Sequence, residues 1–360
     1  MKILHVITSL HIGGAEKLLT EICPLLVQKG HEVDVLSFNG KDTFLKKTLE
    51  NNGIRVLYFC KNDSYYDFRY VFKLMRIIRN YDVIHTHLTA PQLFCAIANV
   101  FHSRPLVTTE HNTTNSRRGN ILYSLVDGWM YSQYQSIICI SDKTEENLKT
   151  ALKNRFSKLL TINNGINVEK YKIADRLNLK NIDNNKVIVT MVAAFRTQKD
   201  QETLINAIKY LDSSNYFLWL VGDGEKRNHL VNYIKDQGVE EQVFLWGNRD
   251  DVPSILKTSD IVVMSSHWEG FGLAAVEGMA AGKPVLATDV DGLAQVVGGA
   301  GILFPHEDYK TLAKEIQHLA EDKNYYSRIA TQCSERAKDF DIQKMVDGYE
   351  EVYKKLINED

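Results

Sequence analysis

Short apolar runs of strand length alternate with segments of helical length along almost the whole chain. This alternation is typical of a parallel sheet whose strands are connected by helices. The predicted strands are 3–7, 32–37, 54–59, 83–87, 106–109, 137–140, 187–193, 216–221, 243–246, 261–264, 285–287 and 302–304. With 360 residues, 44% of them hydrophobic, the chain is too long for one typical domain. We therefore expect two α/β domains.

Composition excludes several classes of partner. The formal net charge is −2, so the chain as a whole has no electrostatic attraction to nucleic acid or to anionic lipid. The five cysteines are widely scattered and form no Cys-x-x-Cys pair, which indicates reduced core residues. The first apolar run is too short for a signal peptide, and no stretch approaches the roughly 18 apolar residues of a membrane span. A cytoplasmic protein is expected.

The most informative stretch runs from residue 261 to residue 282. An apolar strand is followed by a loop with Gly270 and Gly272, and then by a helix rich in small residues. Such a junction directs backbone N–H groups and the positive end of a helix dipole towards an anion. Glu269 and Glu277 flank it, and a carboxylate can accept protons from two vicinal hydroxyls. A nucleotide-sugar combines phosphates with such diols.

The same stretch carries a family resemblance. Glu269-Gly270-Phe271-Gly272 through Glu277, followed by Ala280-Ala281-Gly282-Lys283-Pro284-Val285, resembles the two-glutamate motif of the retaining glycosyltransferases of family 4. The resemblance extends along nearly the whole chain and implies the GT-B fold, in which two doubly wound Rossmann-like domains face a central cleft. It places the acceptor-binding domain at 1–170, the donor-binding domain at 171–340, and a last helix at 341–360 that crosses back to the first domain. The polar run 175–185 is predicted to be a linker.

The resemblance implies roles in the donor domain. Lys199 and the amides of Gly270–Gly272, at the start of the helix that begins with Leu273, would hold the diphosphate. Glu269 would bind sugar hydroxyls and Glu277 the ribose diol. Further donor-binding candidates, at positions matching family motifs, are Gly14, Gly222, Gly224 and Phe271. The chain departs from the family at Ala194, where an arginine is usual, and Arg196 is the candidate replacement.

In the first domain, the glycine loop with Gly13, Gly14 and Glu16 is expected to help hold acceptor or donor phosphate. A tight turn without a ligand is the alternative. His111 follows a strand, where open α/β sheets bind ligands, and it matches a family histidine that contacts the transferred sugar. Many family members have an acid after this histidine, whereas this chain has Asn112. The polar residues His85, His87 and Glu110 also lie near strand ends and make a metal cluster conceivable.

Residues 61–80 interleave aromatic and basic side chains. Such a segment can lie on an anionic membrane surface. Alternatively, it is a helix with one core-facing side and one solvated, charged side. Peripheral contact with the inner face of the membrane is therefore one of two open interpretations.

The resemblance implies a retaining hexosyl- or N-acetylhexosaminyl-transferase, and a UDP-sugar is the expected donor, with a GDP-sugar next. The acceptor would be a glycan or polyprenyl-linked glycan of surface polysaccharide biosynthesis. No divalent metal is expected. Asp289 and Asp291 form an Asp-x-Asp triplet, a pattern that can hold a metal, but here the triplet lies in an ordinary turn. Lys199 can neutralise the diphosphate instead. The alternatives are a nucleotide-sugar epimerase and a non-catalytic binding module. A dinucleotide oxidoreductase is disfavoured because the Gly-x-Gly-x-x-Gly fingerprint is absent from the first glycine loop.

Overall fold

The computed structural model describes residues 1–11, 13–60, 65–111, 121–152, 158–178 and 186–358. They form two compact units. Unit 1 comprises Met1–Gly165 together with Ile342–Asp360, and unit 2 comprises Ile166–Asp341. The chain thus leaves unit 1 once and returns to it for its last helix, so residues 166–170, expected in the first domain, belong to unit 2.

Unit 1 is built on seven parallel strands in the order β3-β2-β1-β4-β5-β6-β7. The strands are β1 Lys2–Ile7, β2 Glu32–Asn39, β3 Arg55–Cys60, β4 Val83–His87, β5 Leu106–Glu110, β6 Ser136–Cys139 and β7 Leu159–Thr161. Its helices are α1 Gly14–Gln28, α2 Phe44–Asn51, α3 Arg69–Ile78, α4 Thr89–Asn99, α5 Ile121–Ser132, α6 Asp142–Ala151 and, after unit 2, α15 Ile342–Asn358.

Unit 2 is built on six parallel strands in the order β10-β9-β8-β11-β12-β13. The strands are β8 Val187–Val192, β9 Tyr216–Val221, β10 Val243–Gly247, β11 Ile261–Met264, β12 Val285–Thr288 and β13 Ile302–Phe304. The helices are α7 Val168–Lys172, α8 Gln201–Lys209, α9 Arg227–Gln237, α10 Val252–Thr258, α11 Leu273–Ala280, α12 Asp291–Val297, α13 Tyr309–Glu321 and α14 Lys323–Ala337, with a short 3₁₀ turn at Thr197–Lys199.

The last helix is held in unit 1 by one apolar stripe. Its buried residues follow helical spacing and pack into the same core cluster as α1 and strands β1, β2 and β4; they are Ile342, Met345, Val346, Tyr349 and Tyr353. Burying each such side chain contributes roughly 1.5–3 kcal/mol, which explains why the chain returns here. The predicted fold class, with two parallel-sheet α/β domains and a final helix on the first, is confirmed.

All twelve predicted strands are present, and the thirteenth, β7, was missed. β7 has three residues, each only partly buried, at the edge of the sheet, so it has neither the length nor the burial that produces a strong strand pattern.

The segment 175–185 was predicted to be a linker, but Leu177 N–H donates to the Thr258 hydroxyl at 2.7 Å, so the first part of this segment packs on unit 2. Residues 179–185 lie outside the described residues. Among the described helices, none has the length and apolar character that crossing a bilayer requires.

Candidate active site

In both sheets, strand order reverses between two neighbouring central strands. In unit 2 these are β8 and β11, and in unit 1 they are β1 and β4. Open α/β sheets bind ligands at the carboxyl ends of strands beside such a reversal, because the following loops diverge there and leave a crevice. The predicted site residues of each unit are concentrated in these loops.

In unit 2 the turn after β8 carries Lys199, and the loop after β11 carries Glu269. The structure brings these two predicted residues together in an ion pair between Lys199 Nζ and Glu269 Oε1. Both side chains are largely buried, with 17% and 10% of their surfaces exposed. Ser266 Oγ lies 3.5 Å from the same carboxylate oxygen. Because burial limits screening by solvent, this pair is a strong local electrostatic feature rather than a surface salt bridge.

Three hydrogen bonds tie the Lys199 turn to the Glu269 loop. Ser265 Oγ donates to the Asp200 carbonyl oxygen at 2.7 Å. The His267 amide donates to the Gln198 carbonyl at 2.8 Å, and the Gln198 side-chain amide donates to the Trp268 carbonyl at 2.9 Å. The lysine and the glutamate are therefore carried by one cross-linked loop pair, which fixes their positions before any ligand arrives.

Glycines shape the junction where α11 begins. Gly272 precedes the helix with a φ of 94°, a left-handed conformation that side chains rarely adopt. Gly292, at the start of α12, approaches the backbone of the Glu269 loop so closely that an added Cβ would lie 2.5 Å from the Glu269 carbonyl oxygen. Gly278 packs on Val262 of β11, where a Cβ would lie 2.8 Å from Val262 Cγ1. Gly278 thus permits close contact between α11 and β11.

The predicted glycines Gly222 and Gly224 lie against the loop that follows β8. Gly222 has a φ of 138°, and an added Cβ there would meet the Ala193 carbonyl oxygen at 2.0 Å. A Cβ on Gly224 would meet the Phe195 carbonyl oxygen at 2.5 Å. These two glycines therefore let the loop after β9 pack directly on the backbone that leads to Lys199.

The other predicted donor residues differ in exposure. Glu277 is buried one turn into α11, and Leu273 at the start of that helix is half-buried. The Phe271 ring is buried and packs edge-on against Phe340, 5.3 Å between ring centroids, so this side chain anchors the loop. Arg196 is exposed, and its side chain forms no ion pair with any described residue.

In unit 1, His111 stands at the end of a chain of hydrogen-bonded imidazoles. His87 Nδ1 lies 3.0 Å from His111 Nε2, and His5 Nδ1 lies 3.0 Å from His87 Nε2. His5 belongs to β1, His87 ends β4, and His111 follows β5, so three neighbouring strands contribute one histidine each. The rings of His85 and His87 stack with centroids 4.4 Å apart.

The protonation pattern of this chain follows from its hydrogen bonds. A neutral imidazole has one N–H and one acceptor nitrogen, so all the donors of the chain must point in the same direction. Among the described residues, the buried His5 Nε2 has no hydrogen-bond partner. We assign it the lone pair, because the reverse direction would leave a buried N–H unbonded. His5 Nδ1–H then donates to His87, His87 Nδ1–H donates to His111 Nε2, and His111 carries its proton on Nδ1.

Burial keeps these histidines neutral. It lowers the pKa of His111 to about 4 and that of His5 to about 3. The pKa values of His85 and His87 are also held well below the ordinary range by burial, with smaller contributions from neighbouring histidines. At neutral pH the group therefore acts through fixed N–H donors and lone pairs instead of through charge.

α15 contacts His85, whose ring stacks on His87 of the chain of imidazoles, a connection that sequence reasoning missed. His85 Nδ1 bonds the Tyr353 hydroxyl, and His85 Nε2 lies 2.7 Å from Thr109 Oγ1, which in turn lies 3.1 Å from the Tyr349 hydroxyl. The available signal was the period-two placement of His85 and His87 in β4, which puts these two side chains on one sheet face.

In the glycine loop of unit 1, the Glu16 carboxylate fills the space beside Gly13. Glu16 lies in the first turn of α1, and its Oε2 occupies the space where a side chain on Gly13 would begin, 2.3 Å from an ideal Cβ. Burial raises the pKa of Glu16. Gly14 is exposed at the helix start. The three predicted residues are thus adjacent, with a carboxylate already at the helix N-terminus.

The conceivable metal cluster of His85, His87 and Glu110 is not assembled as expected. Glu110 accepts a hydrogen bond from the Tyr131 hydroxyl, whereas His85 and His87 group with His5. One nitrogen from each of His5, His85 and His87 lies within 4.8 Å of the other two, and all three histidines are buried. Residue 112 lies outside the described residues.

Comparison with known proteins agrees with this geometry. Residues 12–170 match the family model described as Glycosyltransferase Family 4, and residues 175–339 match the one described as Glycosyl transferases group 1. The chain is 31% identical over 285 residues to an uncharacterized glycosyltransferase of Methanocaldococcus jannaschii, with 76% of each chain covered. The chain therefore belongs to glycosyltransferase family 4, and the predicted resemblance is confirmed.

Two further similarities span nearly the full length. The UDP-Gal:α-D-GlcNAc-diphosphoundecaprenol α-1,3-galactosyltransferase of Escherichia coli is 25% identical over 377 residues, covering 98% of this chain and 96% of that protein. The crystal structure of Anabaena HepE in complex with UDP superimposes with a TM-score of 0.86 at 25% identity, covering 99% of this chain and all of that one. The protein is a glycosyltransferase with two parallel-sheet α/β domains.

Proposed function

We propose that the protein transfers a hexosyl or N-acetylhexosaminyl group, with retention of configuration, from a UDP-sugar to a polyprenyl-linked or other glycan acceptor of surface polysaccharide biosynthesis. A GDP-sugar is the second donor candidate. The observation that carries the proposal is the buried Lys199–Glu269 pair beside the glycine-shaped start of α11. The UDP bound to HepE and the lipid-linked substrate named for the Escherichia coli relative support this donor and this acceptor.

The pair is suited to receive a diphosphate. An ammonium has three N–H donors, so Lys199 can keep its bond to Glu269 while donating to phosphate oxygens. The amides of Gly270–Gly272 and the dipole of α11 add fixed positive potential at the same junction. As the bond to the sugar breaks, charge accumulates on the departing diphosphate, and this preorganised environment stabilises it. Arg196, which is exposed in the same turn after β8, would supply a second positive charge.

Glu269 and Glu277 would bind different parts of the donor. Glu269 is held by Lys199 and faces Ser266, and it would bind hydroxyls of the transferred sugar. Glu277 is buried in α11 and would accept both ribose hydroxyls. Gly222 and Gly224 would contribute by allowing the loop after β9 to lie close to the donor.

Unit 1 would orient the transferred sugar. The assigned tautomer of His111 leaves an Nδ1–H that can donate to a hydroxyl of the transferred sugar, and the bond from His87 fixes the ring. Gly13, Gly14 and Glu16 would contact acceptor or donor phosphate. Since Glu16 already occupies the helix N-terminus, the raised pKa of this carboxyl would ease its protonation beside an anion.

The transfer step itself needs no separate base. The acceptor hydroxyl oxygen forms the new bond to the anomeric carbon on the face from which the diphosphate leaves. The bond between that carbon and the diphosphate oxygen breaks, and the diphosphate takes both the bonding electrons and the hydroxyl proton. The configuration at the anomeric carbon is therefore retained. No divalent cation is assigned to this step, because Lys199 and the helix start supply the positive potential.

Helix α3 and the residues before it would place the protein on the inner face of an anionic membrane, near a polyprenyl-linked acceptor. Tyr66, Phe68 and Phe72 are 60–67% exposed. Lys73, Arg76 and Arg79 are exposed on the same short segment, whereas Arg69 is paired with Asp67. The other face of α3 is buried. Interfacial helices combine these features. Residues 61–64 of the predicted segment lie outside the described residues.

The test is a donor screen with and without acceptor. The protein would be incubated with UDP-, GDP- and ADP-hexoses and with UDP-N-acetylhexosamines, in the presence or absence of a polyprenyl-diphosphate-linked monosaccharide. Acceptor-dependent release of UDP is expected, together with an α-linked product from an α-linked donor, seen by NMR. Lys199→Met serves as the inactive control, and Lys209→Met, an exposed lysine on α8, serves as the matched surface control.

The other outcomes identify the alternatives. Isomerised nucleotide-sugar formed without acceptor would indicate an epimerase. Tight donor binding with no turnover over the whole panel would indicate a binding module. A β-linked product would overturn retention while leaving transfer intact.

A further inference from the structure

A second polar cluster lies in unit 2, outside the residues assigned to the donor. His267 belongs to the loop after β11, and His306 and Glu307 follow β13. His267 Nδ1 lies 2.6 Å from His306 Nε2 and 3.7 Å from Glu307 Oε1. One ligand atom from each of the three residues lies within 4.8 Å of the other two. We call these residues, with Asp200, the His267 cluster.

Asp200 supplies the observation that points to a ligand. Its side chain is only 7% exposed, and its Oδ2 lies 3.8 Å from His267 Nδ1. Oδ1 accepts the Thr203 amide, but Oδ2 has no hydrogen-bond partner among the described residues. A buried carboxylate oxygen without a donor is costly, so its position beside His267 indicates a missing positive partner.

The donors match a transition-metal site in number and type. Two imidazole nitrogens and two carboxylate oxygens are ligands that Zn²⁺ accepts in tetrahedral geometry at about 2.0–2.2 Å, which separates the ligand atoms by about 3.4 Å. The three measured separations from His267 Nδ1 range from 2.6 to 3.8 Å. Two carboxylates and two neutral imidazoles also balance the charge of a divalent ion. Imidazole ligands disfavour Mg²⁺ and Ca²⁺.

The cluster is accessible. Asp200, His267 and Glu307 line a cavity of about 410 Å³, whose other walls come from α8, α9 and the start of α13. His306 and Glu307 are exposed, so small rotations of their side chains can bring the nitrogen and the oxygen to coordination distance. The buried histidines of unit 1 lack this access.

We propose that Asp200, His267, His306 and Glu307 bind one divalent transition-metal ion, of which Zn²⁺ is the representative. The ion would join three segments of unit 2, because Asp200 directly follows Lys199, His267 lies two residues before Glu269, and the other two ligands follow β13. It would therefore stabilise the loop pair that carries the Lys199–Glu269 bridge without touching the reacting atoms. Its role is structural, and it does not depend on the identity of the donor.

The test uses the full-length protein without a histidine tag, stripped with EDTA, desalted and titrated with Co²⁺. Tetrahedral Co²⁺ absorbs visible light strongly, so coordination is read directly and without an activity assay. One equivalent is expected to produce the bands and to raise the melting temperature. His306→Ala and Glu307→Gln change exposed side chains and should leave folding intact, yet each should weaken Co²⁺ binding by at least about tenfold. His318→Ala, an exposed histidine of α13, is the matched control and should bind like wild type.

Asp200→Asn provides the second variant. It keeps an oxygen for the Thr203 amide and removes the charge, so it should fold and should bind Co²⁺ at least about tenfold more weakly. Absence of visible bands at a few equivalents of Co²⁺ would overturn the proposal. Unchanged bands in His306→Ala and Glu307→Gln would also overturn it. Loss of transfer in the donor screen with normal Co²⁺ binding would refute the proposed function and leave this site standing.

Discussion

Both units place polar side chains on, or in the loops after, the strands near the reversal of strand order, but the two sets differ in charge. In unit 1 they are neutral imidazoles, with pKa values lowered by burial and with ring orientations fixed by each other and by α15. In unit 2 they are a lysine and a glutamate in a largely buried ion pair, on two loops linked by hydrogen bonds.

This difference indicates that the two units, which share one architecture, have different roles. A neutral, hydrogen-bonded array can orient hydroxyls without attracting phosphate, whereas a preorganised cation can stabilise the negative charge that a departing diphosphate acquires. We therefore expect changes in unit 2 to affect the rate and donor binding, and changes in unit 1 to affect orientation and pH-dependent stability. The predictions below test this contrast, from the largest expected effect to the smallest.

Lys199→Met should lower kcat by about 100- to 1,000-fold, because the diphosphate loses its fixed positive partner. Initial rates at saturating donor measure this. Glu269 would also lose its counter-charge, so the double variant Lys199→Met, Glu269→Gln separates the two effects. If the double variant is no slower than Lys199→Met alone, the pair acts as one unit. A near-normal kcat in Lys199→Met would remove the proposed contrast between the units.

Glu277→Ala should abolish measurable transfer mainly by weakening donor binding. Each ribose hydroxyl that loses its acceptor costs on the order of 1–3 kcal/mol. Calorimetric titration with UDP measures the loss, and Glu335→Ala on the exposed face of α14 is the control. Because Glu277 is buried, the melting temperature must be recorded as well. Unchanged UDP affinity in a folded Glu277→Ala variant would contradict the assignment.

His5→Leu should flatten the dependence of stability on pH. Burial lowers the pKa of His5 to about 3, while the unfolded chain keeps a value near 6.5, so the unfolded state binds more protons in between. This contribution is fully present above pH 6.5 and decreases as the pH falls towards 3. About 2 kcal/mol is lost by pH 5, which urea unfolding at pH 7 and pH 5 can measure. A wild-type slope in His5→Leu would show that His5 is not held neutral. His318→Leu is the exposed control.

Binding to anionic vesicles should decrease severalfold when the basic side chains of α3 and the residue after it are neutralised. Flotation with vesicles containing anionic phospholipid measures this, and vesicles of zwitterionic lipid provide the baseline. The residues changed to glutamine are Arg69, Lys73, Arg76 and Arg79. The control changes four exposed basic residues of unit 2, namely Lys310, Lys314, Lys323 and Arg328. Equal flotation of all three proteins would exclude α3 as the contact.

Removal of divalent metal should change the transfer rate by no more than a few-fold. The positive potential at the diphosphate comes from Lys199 and the start of α11, so excess EDTA should leave transfer in place. Asp291→Asn should also remain within a few-fold of wild type, because Asp291 is exposed at the start of α12. Transfer that stops with EDTA and resumes with Mg²⁺ or Mn²⁺ would overturn the proposed chemistry. A lower melting temperature with transfer retained would be the expected effect of removing the metal from the His267 cluster.

Much of the architecture was accessible from the sequence, since the apolar runs were long enough to indicate twelve of thirteen strands. The sequence also showed that the helix after Gly272 is rich in small residues, and at Gly278, where a Cβ would lie 2.8 Å from Val262 Cγ1, this permits close contact with the sheet. β7 escaped prediction because it is a short edge strand whose residues are only partly buried. The first residues of the expected linker pack on unit 2 through a bond to Thr258, which local polarity could not reveal.

The sequence by itself determined the order of strands and helices, the glycine-shaped loops and the residue types available for phosphate and diol binding, because these depend on local periodicity and on backbone freedom. Only the tertiary structure decided which side chains meet. Lys199 and Glu269 are 70 residues apart, and His85 and Tyr353 are 268 residues apart, yet each pair is bonded. Such contacts follow from strand order and from the return of α15, and a pattern that repeats every two or four residues contains no information about them.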